Sequence, residues 1–593
     1  MRSGGKGARA LRVMRRVLGT AVIVALVAGG GLLLVWQLPR PISDTSAIGV
    51  LWHKHSDELG AAWNREACTH GVCRQDYRGG TIYAAVKGDA HIVRGGAVGE
   101  AFDELGGVAA LGLPIAEQSG PADRPWQAFQ RAGIFANQDD VPTLVRGVFW
   151  QSWLRFAEER GGLGFPKGPE HKDRRGMPVQ DFVNGVIYLR DGAPVPTISD
   201  IAAAHRRAGG ASGPLGYPKG TQRAVGDRLV QQFDGGEVWW SGDTGAASVQ
   251  APFLAAYHDR GGADGSLGLP TAEASRLANG SMQPFQGGVL YRSDTDGAIR
   301  ATTAGVIQQR YDELGGPEGE LGLPTGEKVD VAGGRYQAFA GGALLWHEGA
   351  GVFRLDAANF AIWVADPARF GWPTKDSRTD ERGVHQDWEK AQTVLREGRL
   401  FTVPSTPVDA STAVLLCDSQ CSGNSWIEQG ARGAGFSNIV EFGYGGSGYL
   451  APISGLGTGF TESVSRNSLL LPEGDPGVVI VTLGGNDAAQ KRPASEVTAA
   501  EEQLIGMLRQ AYPNAAIVVD GVMSRSDAAH AARRAMDAAV TERARQLGVH
   551  AISVAGWVSD YAAPQADNVH LAPAGHDKIA PHYADALRAV LGR

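Results

Sequence analysis

The sequence predicts an α+β repeat array, arranged as a propeller-like ring or a solenoid, followed by an α/β/α three-layer domain, with one N-terminal transmembrane helix. Three observations lead to this prediction. A Leu-Gly-x-Pro tetrapeptide recurs at intervals of 52 to 54 residues within residues 45–400. Short apolar runs alternate with amphipathic helical patterns over residues 411–593. An uncharged run of 22 residues occupies residues 17–38.

The amino-terminal segment has the charge pattern of a membrane anchor. Residues 1–16 carry six basic and no acidic side chains, and the uncharged run 17–38 follows them. This pattern predicts a single membrane-spanning helix, with a basic cytoplasmic tail and the C-terminal bulk of the chain on the outer side of the cell membrane. A cleaved signal peptide is the alternative, although Thr45-Ser46-Ala47 is a poor cleavage site. Both interpretations export everything after residue 40.

Charge and cysteine usage narrow the class of protein. The formal net charge is −7, so the chain after the basic tail carries −7 − 6 = −13, which does not suggest a nucleic-acid partner. The four cysteines form two close pairs, Cys68 with Cys73 and Cys417 with Cys421. In an exported protein such pairs predict disulfides, and neither pair has a His or acidic cluster beside it that would complete a zinc site. No motif implies a metal or a nucleotide cofactor.

Residues 45–400 contain seven copies of one unit of about 50 residues. A second marker, Gln-x-aromatic, accompanies every tetrapeptide. The tetrapeptides begin at Leu111, Leu163, Leu215, Leu267 and Leu321, with degenerate copies at Leu59 and Phe370, and the second markers are Gln75/Tyr77, Gln127/Phe129, Gln180/Phe182, Gln231/Phe233, Gln283/Phe285, Gln337/Phe339 and Gln386/Trp388.

Each unit is predicted to contain a helix, a fixed turn and a hairpin. The stretches 251–260 and 304–314 have apolar residues at helical spacing, and Gly-Gly follows such stretches. Leu-Gly-x-Pro then forms a tight turn, and Gln-x-aromatic with the next strand forms a hairpin that bends at glycines. The Leu, Pro and aromatic residues are interpreted as core, and the Gln as a tie between the turn and backbone carbonyls. One unit has too small a core to fold alone, so neighbours must stack, and the lack of polar end caps favours a closed ring.

These copies resemble the LGFP repeat family of exported actinobacterial proteins. The resemblance implies attachment to cell-wall polysaccharide, with arabinogalactan as the expected partner. The segment 401–410, with Pro404 and Pro407, is predicted to be a semi-rigid linker before a catalytic domain at 411–593.

Three polar groups follow strands or turns of the C-terminal domain. Ser419 comes after the apolar strand 413–416, where a hydroxyl at the carboxyl edge of a sheet is well placed as a nucleophile. Asn486 follows the strand 478–483. Asp567 lies three residues before His570, so it can orient the imidazole while the other ring nitrogen faces Ser419. His576 is a rival base, interpreted as structural because it opens the last helix.

Asp418-Ser419, Gly485-Asn486-Asp487 and Asp567-x-x-His570, in this order, resemble the SGNH (GDSL-like) hydrolase family over about the last 185 residues. The resemblance agrees with the three-layer fold and implies an oxyanion hole formed by the N–H groups of Ser419 and Gly448 and the side-chain amide of Asn486. The sequence departs from the family at Cys417, where the family has glycine. A disulfide between Cys417 and Cys421 would hold the nucleophile turn in place. Alternatively, it would make activity depend on the redox state, or the departure from glycine would mark a domain with poor catalytic activity.

Three functional hypotheses follow from these features. The first is an exported, wall-associated serine esterase that hydrolyses acyl esters of envelope glycans or lipids, such as acetyl, succinyl or mycoloyl esters. The second is an acyltransferase that uses the same residues. The third is a non-enzymatic tether between membrane and wall with a vestigial hydrolase domain. A neutral histidine base predicts activity that rises with pH through the ordinary histidine range, near about 6.5.

Overall fold

A computed structural model describes residues 42–136, 141–156, 162–421 and 423–593. The predicted cytoplasmic tail (1–16) and transmembrane helix (17–38) lie outside the described residues. Among the helices that the structure does describe, none combines the length and apolarity needed to cross a bilayer. The chain divides into two compact units, one extending to Ala255 and including Leu269–Glu273, the other comprising Ala256–Gly268 and Ala274–Arg593.

Seven antiparallel sheets follow one another in the described part of residues 67–402, one for each predicted copy. Consecutive strands are neighbours in every sheet, as expected for chains of hairpins. In five of the seven copies the hairpin that follows the Gln-x-aromatic marker bends at a glycine, as predicted, whereas the connections 129–131 and 388–391 of the second and seventh copies contain none. The strands, copy by copy, are β1 (Ala67–Thr69), β2 (Val72–Tyr77), β3 (Gly80–Ala85) and β4 (Ala90–Arg94); β5 (Trp126–Ala128), β6 (Ala132–Ala136) and β7 (Pro142–Arg146); β8 (His171–Lys172), β9 (Pro178–Phe182), β10 (Gly185–Arg190) and β11 (Ala193–Ile198); β12 (Arg223–Val225), β13 (Arg228–Phe233), β14 (Gly236–Ser241) and β15 (Gly245–Gln250); β16 (Ser275–Leu277), β17 (Gly280–Phe285), β18 (Gly288–Ser293) and β19 (Ile299–Thr303); β20 (Val329–Val331), β21 (Gly334–Phe339), β22 (Gly342–His347) and β23 (Gly351–Asp356); and β24 (Arg378–Asp380), β25 (Gly383–Asp387), β26 (Gln392–Arg396) and β27 (Arg399–Thr402).

Short helices precede the tetrapeptide turns. They are α1 (Ala47–Lys54), α2 (Ser56–Leu59), α3 (Ala97–Glu104), α4 (Gly107–Leu111), α5 (Gly147–Phe156), α6 (Ser199–Arg207), α7 (Phe253–Asp259), α8 (Val306–Glu313), α9 (Ala357–Ala365) and α10 (Pro367–Phe370). Helices α7 and α8 confirm the helices predicted from periodicity. The tetrapeptide glycine has a positive φ in each copy, 81° at Gly112 and 62° at Gly322 for example, which explains the requirement for glycine there.

The glutamine of each second marker is fully buried. The amides of Gln127, Gln180, Gln231 and Gln337 tie backbone segments together, as predicted. Nε2 of Gln231 donates to the carbonyl of Gly220 in its own turn and to that of Pro196 in the outer strand of the preceding copy, both at 2.9 Å. Gln127, Gln180 and Gln337 repeat this pair of bonds with Ala116 and Ile92, Gly168 and Leu144, and Gly326 and Ala301. A neutral amide that satisfies two buried carbonyls therefore joins consecutive copies.

The start of the predicted linker is corrected by the structure. Phe401 and Thr402 end strand β27, which pairs in parallel with β30 (Leu471–Pro472) of the C-terminal domain. Phe401 is buried, and so is Val408 further along the same segment. Their apolar side chains pack into the core of the C-terminal domain, so the segment is docked and is not a free spacer.

The C-terminal domain is built on a five-stranded, fully parallel sheet in the order β29-β28-β31-β32-β33. The predicted strands at 413–416, 478–483 and 516–519 are confirmed as β28, β31 and β32, and the predicted helices at 496–511 and 528–547 as α14 and α15. The strands are β28 (Thr412–Cys417), β29 (Asn438–Gly443), β31 (Val478–Thr482), β32 (Ala516–Asp520) and β33 (His550–Ile552), and the helices are α11 (Trp426–Gly433), α12 (Phe460–Ser465), α13 (Gly485–Ala489), α14 (Ala494–Ala511), α15 (Ala531–Gln546), α16 (Trp557–Asp560) and α17 (Pro573–Leu591).

Helices cover both faces of this sheet. Val414 and Leu416 of β28 point into a cluster with apolar residues of α14 and α15, whereas Ala413 and Leu415 point into a cluster with residues of α11 and α17. Every residue of β28 is buried, which is why the strand is a continuous apolar run. The predicted three-layer α/β/α arrangement is therefore confirmed.

Both predicted disulfides are present. Cys68 and Cys73 face each other across the β1–β2 hairpin. Cys417, the last residue of β28, is bonded to Cys421 in the 3-10 turn Ser419–Cys421.

Candidate active site

Ser419 stands at the carboxyl edge of the parallel sheet, where the sequence places it. Strand β28 ends at Cys417, and Ser419 opens the 3-10 turn that leads to α11. Its side chain is half-buried, and its backbone N–H has no hydrogen-bond partner in the part of the chain that the structure describes. The residue thus offers a hydroxyl and a free backbone donor at the same point.

His570 contacts Ser419 across 151 positions of sequence. Its Nε2 lies 2.8 Å from Ser419 Oγ, and its Nδ1 lies 2.7 Å from Asp567 Oδ2. Oδ1 of Asp567 accepts the backbone N–H groups of Val569 and His570, each at 2.7 Å. These backbone N–H groups and the imidazole hold the pKa of Asp567 well below its usual range. An ionised Asp567 fixes the proton on Nδ1 and leaves Nε2 as the acceptor that faces the hydroxyl.

Two further side chains hold the loop that carries His570. Nε2 of His530 lies 2.8 Å from the carbonyl of Asn568, and its Nδ1 accepts the backbone N–H of Arg525 at 2.8 Å. This pattern requires neutral His530 with the proton on Nε2, and burial lowers its pKa in agreement. Nε2 of Gln420 donates to the carbonyl of Val569 at 3.4 Å, so the nucleophile turn also contacts the loop directly.

His576, the rival base, has a different contact. Its Nδ1 accepts the backbone N–H of Trp426, the first residue of α11, at 3.1 Å. Burial lowers the pKa of His576, which suits this neutral acceptor role. The ring therefore joins α11 to α17, in keeping with the structural interpretation.

Asn486 lies in α13, immediately after β31, and its side-chain amide is engaged. Nδ2 donates to the carbonyl of Ser447 at 2.9 Å and to Oδ2 of Asp418 at 3.2 Å. The amide has two hydrogens, so both have a protein partner. The bond to Asp418 is the longer of the two.

The assignment of Gly448 to an oxyanion hole is contradicted by its hydrogen bond. The N–H of Gly448 donates to the carbonyl of Ala451 at 2.9 Å. The cause is Asp487, whose carboxylate accepts the N–H groups of Tyr449, Leu450 and Ala451 at 2.9, 3.0 and 2.8 Å. These three bonds curl the loop into a turn that brings the Ala451 carbonyl to Gly448, so this glycine is not a free donor.

The site contains two charged side chains, Asp418 and Arg533, to which the sequence analysis assigns no role. Burial raises the pKa of Asp418 to about 6, and the charge of Arg533 opposes that rise. The guanidinium of Arg533 and the carboxylate of Asp418 both lie next to Gly485. A Cβ atom added to this glycine would lie 3.0 Å from Arg533 Nη2 and 3.2 Å from Asp418 Oδ2. Asp418 and Asp487 belong to the recognised motifs and could have been singled out. Arg533 lies on α15, and no local pattern points to it.

The described residues contain one cluster of three candidate metal ligands, Glu66, Cys68 and Cys73, and the two sulfurs in it are joined as a disulfide.

In the C-terminal domain, the parallel sheet carries a hydroxyl, an imidazole and a carboxylate at its carboxyl edge. Fold and site together define an esterase-type hydrolase domain of the α/β/α class.

Comparison with known families agrees with this class. Residues 416–578 match the model of the GDSL-like Lipase/Acylhydrolase family. Four segments match the LGFP repeat, residues 59–109, 215–265, 267–319 and 321–366. The chain therefore combines LGFP repeats in its N-terminal part with a GDSL-like lipase/acylhydrolase domain. No curated protein matches the chain.

Several solved structures are similar to part of this chain. An active-site mutant of a family two carbohydrate esterase from Clostridium thermocellum has 17% identity, with 32% of this chain and 67% of that chain covered and a TM-score of 0.27. Est24, a carbohydrate acetylesterase from Sinorhizobium meliloti, has 16% identity, with 30% and 98% covered and a TM-score of 0.24. A putative arylesterase from Agrobacterium tumefaciens has 17% identity, with 30% and 99% covered and a TM-score of 0.24.

Proposed function

We propose that the protein is an exported serine esterase, anchored in the cell membrane by residues 17–38, that hydrolyses acyl esters of envelope glycans or lipids. The observation that carries the proposal is the contact chain from Ser419 Oγ through His570 to Asp567, with separations of 2.8 and 2.7 Å. A hydroxyl becomes a nucleophile only when a base accepts its proton, and this geometry supplies the base and its orienting carboxylate.

In the proposed reaction, Ser419 Oγ attacks the ester carbonyl while Nε2 of His570 takes the hydroxyl proton. The N–H of Ser419 and one hydrogen of the Asn486 amide, released from Asp418, stabilise the oxyanion. Collapse of the tetrahedral intermediate breaks the ester C–O bond, and His570 returns the proton to the departing alcohol. Water then attacks the acyl-enzyme with His570 as base, which releases the acid and restores the Ser419 hydroxyl.

The test is hydrolysis of a short-chain aryl ester by the full-length protein and by Ser419→Ala. We expect kcat to fall at least about a thousandfold, because the nucleophile is lost while the fold is kept. Ser437→Ala is a matched control, since Ser437 is exposed and precedes β29 at the amino end of the same sheet. Equal rates for wild type and Ser419→Ala would reject the esterase and leave a membrane-to-wall tether.

Transfer and hydrolysis are separated by the product. An acceptor sugar added to the assay yields an acylated sugar if the acyl-enzyme reacts with a hydroxyl other than that of water. We expect the free acid as the main product, identified by mass spectrometry of acylated wall fractions. An acylated sugar as the main product would replace the esterase by an acyltransferase that uses the same residues.

The repeats are proposed to hold the enzyme at the cell wall through its polysaccharide, with arabinogalactan as the expected partner. The LGFP family match supports this role. Tandem copies raise retention because each further contact is intramolecular. We expect the full-length protein to sediment with purified cell wall and to be released by soluble arabinogalactan fragments. A protein that remains in the supernatant would contradict wall binding without affecting the esterase assay.

A further inference from the structure

The first copy carries a cleft with the chemistry of a sugar site. Its volume is 190 Å³, and Trp63 stands at its edge. Its charged lining consists of three arginines and three carboxylates, Arg74, Arg78, Arg94, Asp76, Glu100 and Asp103. Drug-sized ligands occupy pockets of roughly 300–1,000 Å³, so this cleft suits a single small unit.

Trp63 is 51% exposed, more than any other tryptophan in the described part of the chain. Its backbone N–H donates to the carbonyl of Asp76 at 2.8 Å, which fixes the residue next to β2 while the indole remains accessible. Trp63 follows Ala62, which bridges to Tyr77 as Pro114 bridges to Phe129 in the next copy. The equivalent positions are occupied by Ile115, Lys167, Lys219, Thr271, Thr325 and Thr374. Since none of these is aromatic, the fold of the unit does not require a tryptophan there.

The polar floor of the cleft is held by its own contacts. Oδ1 of Asp76 accepts Arg74 Nη2 at 2.7 Å and Thr81 Oγ1 at 2.8 Å, and Oδ2 accepts Asn64 Nδ2 at 2.6 Å. The guanidinium of Arg74 also lies 5.6 Å from the ring centroid of Tyr83. Donors and acceptors are therefore fixed before a ligand arrives, which lowers the entropic cost of binding.

The lining charges balance, three against three, so the cleft favours a neutral ligand over a phosphate or a cation. The exposed indole face suits an apolar face of a ligand, and the fixed arginine and carboxylate groups suit hydroxyls along its edge. A neutral ligand that uses both must therefore have an apolar face and a hydroxylated edge. A sugar ring has this combination, with C–H groups on one face and hydroxyls around it.

We propose that the cleft beside Trp63 binds one neutral sugar unit of a polysaccharide. This inference rests on the proposed wall association and assigns it a location in the first copy. The indole stacks on the C–H face of the sugar, and Arg74, Asp76 and their neighbours bond its hydroxyls. A single sugar unit binds weakly, so the cleft supplies one of the contacts that together retain the protein on the polymer.

The experiment uses the full-length protein and a neutral polysaccharide fraction, solubilised from purified cell wall and freed of charged material by ion exchange. Binding is measured by affinity gel electrophoresis. We expect Trp63→Ala to weaken binding about tenfold, because the stacking surface for the sugar is removed, and Trp63→Tyr to keep most of the binding. Ile115→Ala is the matched control, because Ile115 holds the same position in the second copy and is 44% exposed; it should bind like wild type.

Circular dichroism and the melting temperature of the same proteins show that they fold. Equal binding by wild type and Trp63→Ala would overturn the cleft while leaving wall association intact. Lack of binding by the wild type, or binding of dextran sulfate in preference to the neutral fraction, would overturn the cleft and its neutral ligand. A failure of the esterase proposal is recognised separately, by equal rates of ester hydrolysis for wild type and Ser419→Ala.

Discussion

Oδ2 of Asp418 lies 3.2 Å from Nδ2 of Asn486, so the residue next to Ser419 holds the amide that is proposed to stabilise the oxyanion. Oδ1 of the same carboxylate accepts the backbone N–H of Gln420 at 3.0 Å, within the nucleophile turn. Asp418 therefore positions parts of the site on two elements. Its ionised form is the better acceptor for both bonds.

The first prediction concerns the acid limb of the pH–rate profile. The pKa of Asp418 is raised to about 6, so the carboxylate is ionised above that pH and protonated below it. Asp418 and the base His570 both contribute to the acid limb of kcat. Arg533→Met removes a positive charge that opposes the rise in the pKa of Asp418, so this pKa increases further and the contribution of Asp418 to the acid limb moves to higher pH, by roughly one unit. Arg545→Met, on the exposed side of the same helix, is the control. An acid limb that does not move in Arg533→Met would show that Arg533 has no electrostatic role at the site.

The second prediction concerns the orientation of His570. Asp567→Asn keeps an oxygen that can accept the backbone N–H groups of the loop but replaces the carboxylate that faces Nδ1. We expect kcat to fall about 10²- to 10⁴-fold, because the imidazole loses its preferred tautomer and the stabilisation of its charged form. The thermal midpoint should change little, since Asp567 is exposed. Asp585→Asn, an exposed carboxylate of α17, should leave kcat unchanged; a similar loss in both variants would contradict the specific role.

The third prediction concerns the disulfide that brackets the nucleophile. Cys417 and Cys421 are buried, and Asp418 and Ser419 lie between them. Replacing both by serine frees the turn, and we expect kcat to fall about tenfold with KM unchanged, because ground-state binding does not depend on the hydroxyl position. In the chain-entropy model, loss of a disulfide that closes such a short loop lowers the free energy of unfolding by roughly 2 kcal/mol.

The second disulfide provides the matched control for that experiment. Cys68 and Cys73 lie in the first copy, in the other compact unit of the chain, and their replacement by serine should leave kcat at the wild-type value. If the Cys417/Cys421 variant keeps full activity while its melting temperature falls, the bridge stabilises the fold only.

The fourth prediction concerns stability at alkaline pH. Glu501 of α14 is fully buried, and neither carboxylate oxygen has a hydrogen-bond partner among the described residues. Burial raises its pKa from 4.5 to about 8. Between these values the folded chain holds one proton more than the unfolded chain, so the free energy of unfolding decreases as pH rises through this window.

Glu501→Gln removes this titration. We expect its urea midpoint to stay near wild type at pH 5 and to exceed wild type at pH 8, by an amount on the order of 2 kcal/mol or more in the free energy of unfolding. Glu502→Gln changes the exposed neighbour that pairs with Arg543, and a surface pair contributes at most about 1 kcal/mol. Equal pH slopes for Glu501→Gln and wild type would contradict the prediction.

Local pattern was sufficient for much of the architecture. The run from Ala413 to Leu416 predicts a buried strand because both of its faces are covered, and the recurring Gln-x-aromatic predicts a hairpin because the same spacing returns in every copy. Ser419, His570 and Asp567 are predicted as site residues because they lie in short motifs, at a strand end or within one turn, whose order resembles that of the SGNH family. These signals need only a few neighbouring residues to be interpreted.

Contacts between distant segments could not be predicted in the same way. Gly448 was expected to be a free donor, but the Asp487 carboxylate folds its loop so that the Ala451 carbonyl takes that N–H. The sequence assigns Phe401 to the linker because of the prolines that follow it, whereas the structure pairs its strand with the strand that contains Leu471. Arg533 approaches Asp418 from a helix more than a hundred positions away. Each of these depends on which surfaces the fold brings together.

The buried glutamines have a consequence for how such an array changes in length. The amide of Gln231 bonds a carbonyl 35 positions earlier, and those of Gln180 and Gln337 bond carbonyls 36 positions earlier, each in the preceding copy. Excision or duplication of one complete copy therefore presents each remaining amide with an equivalent acceptor at the same offset. The number of copies can therefore change through recombination while each remaining amide keeps both of its carbonyl acceptors.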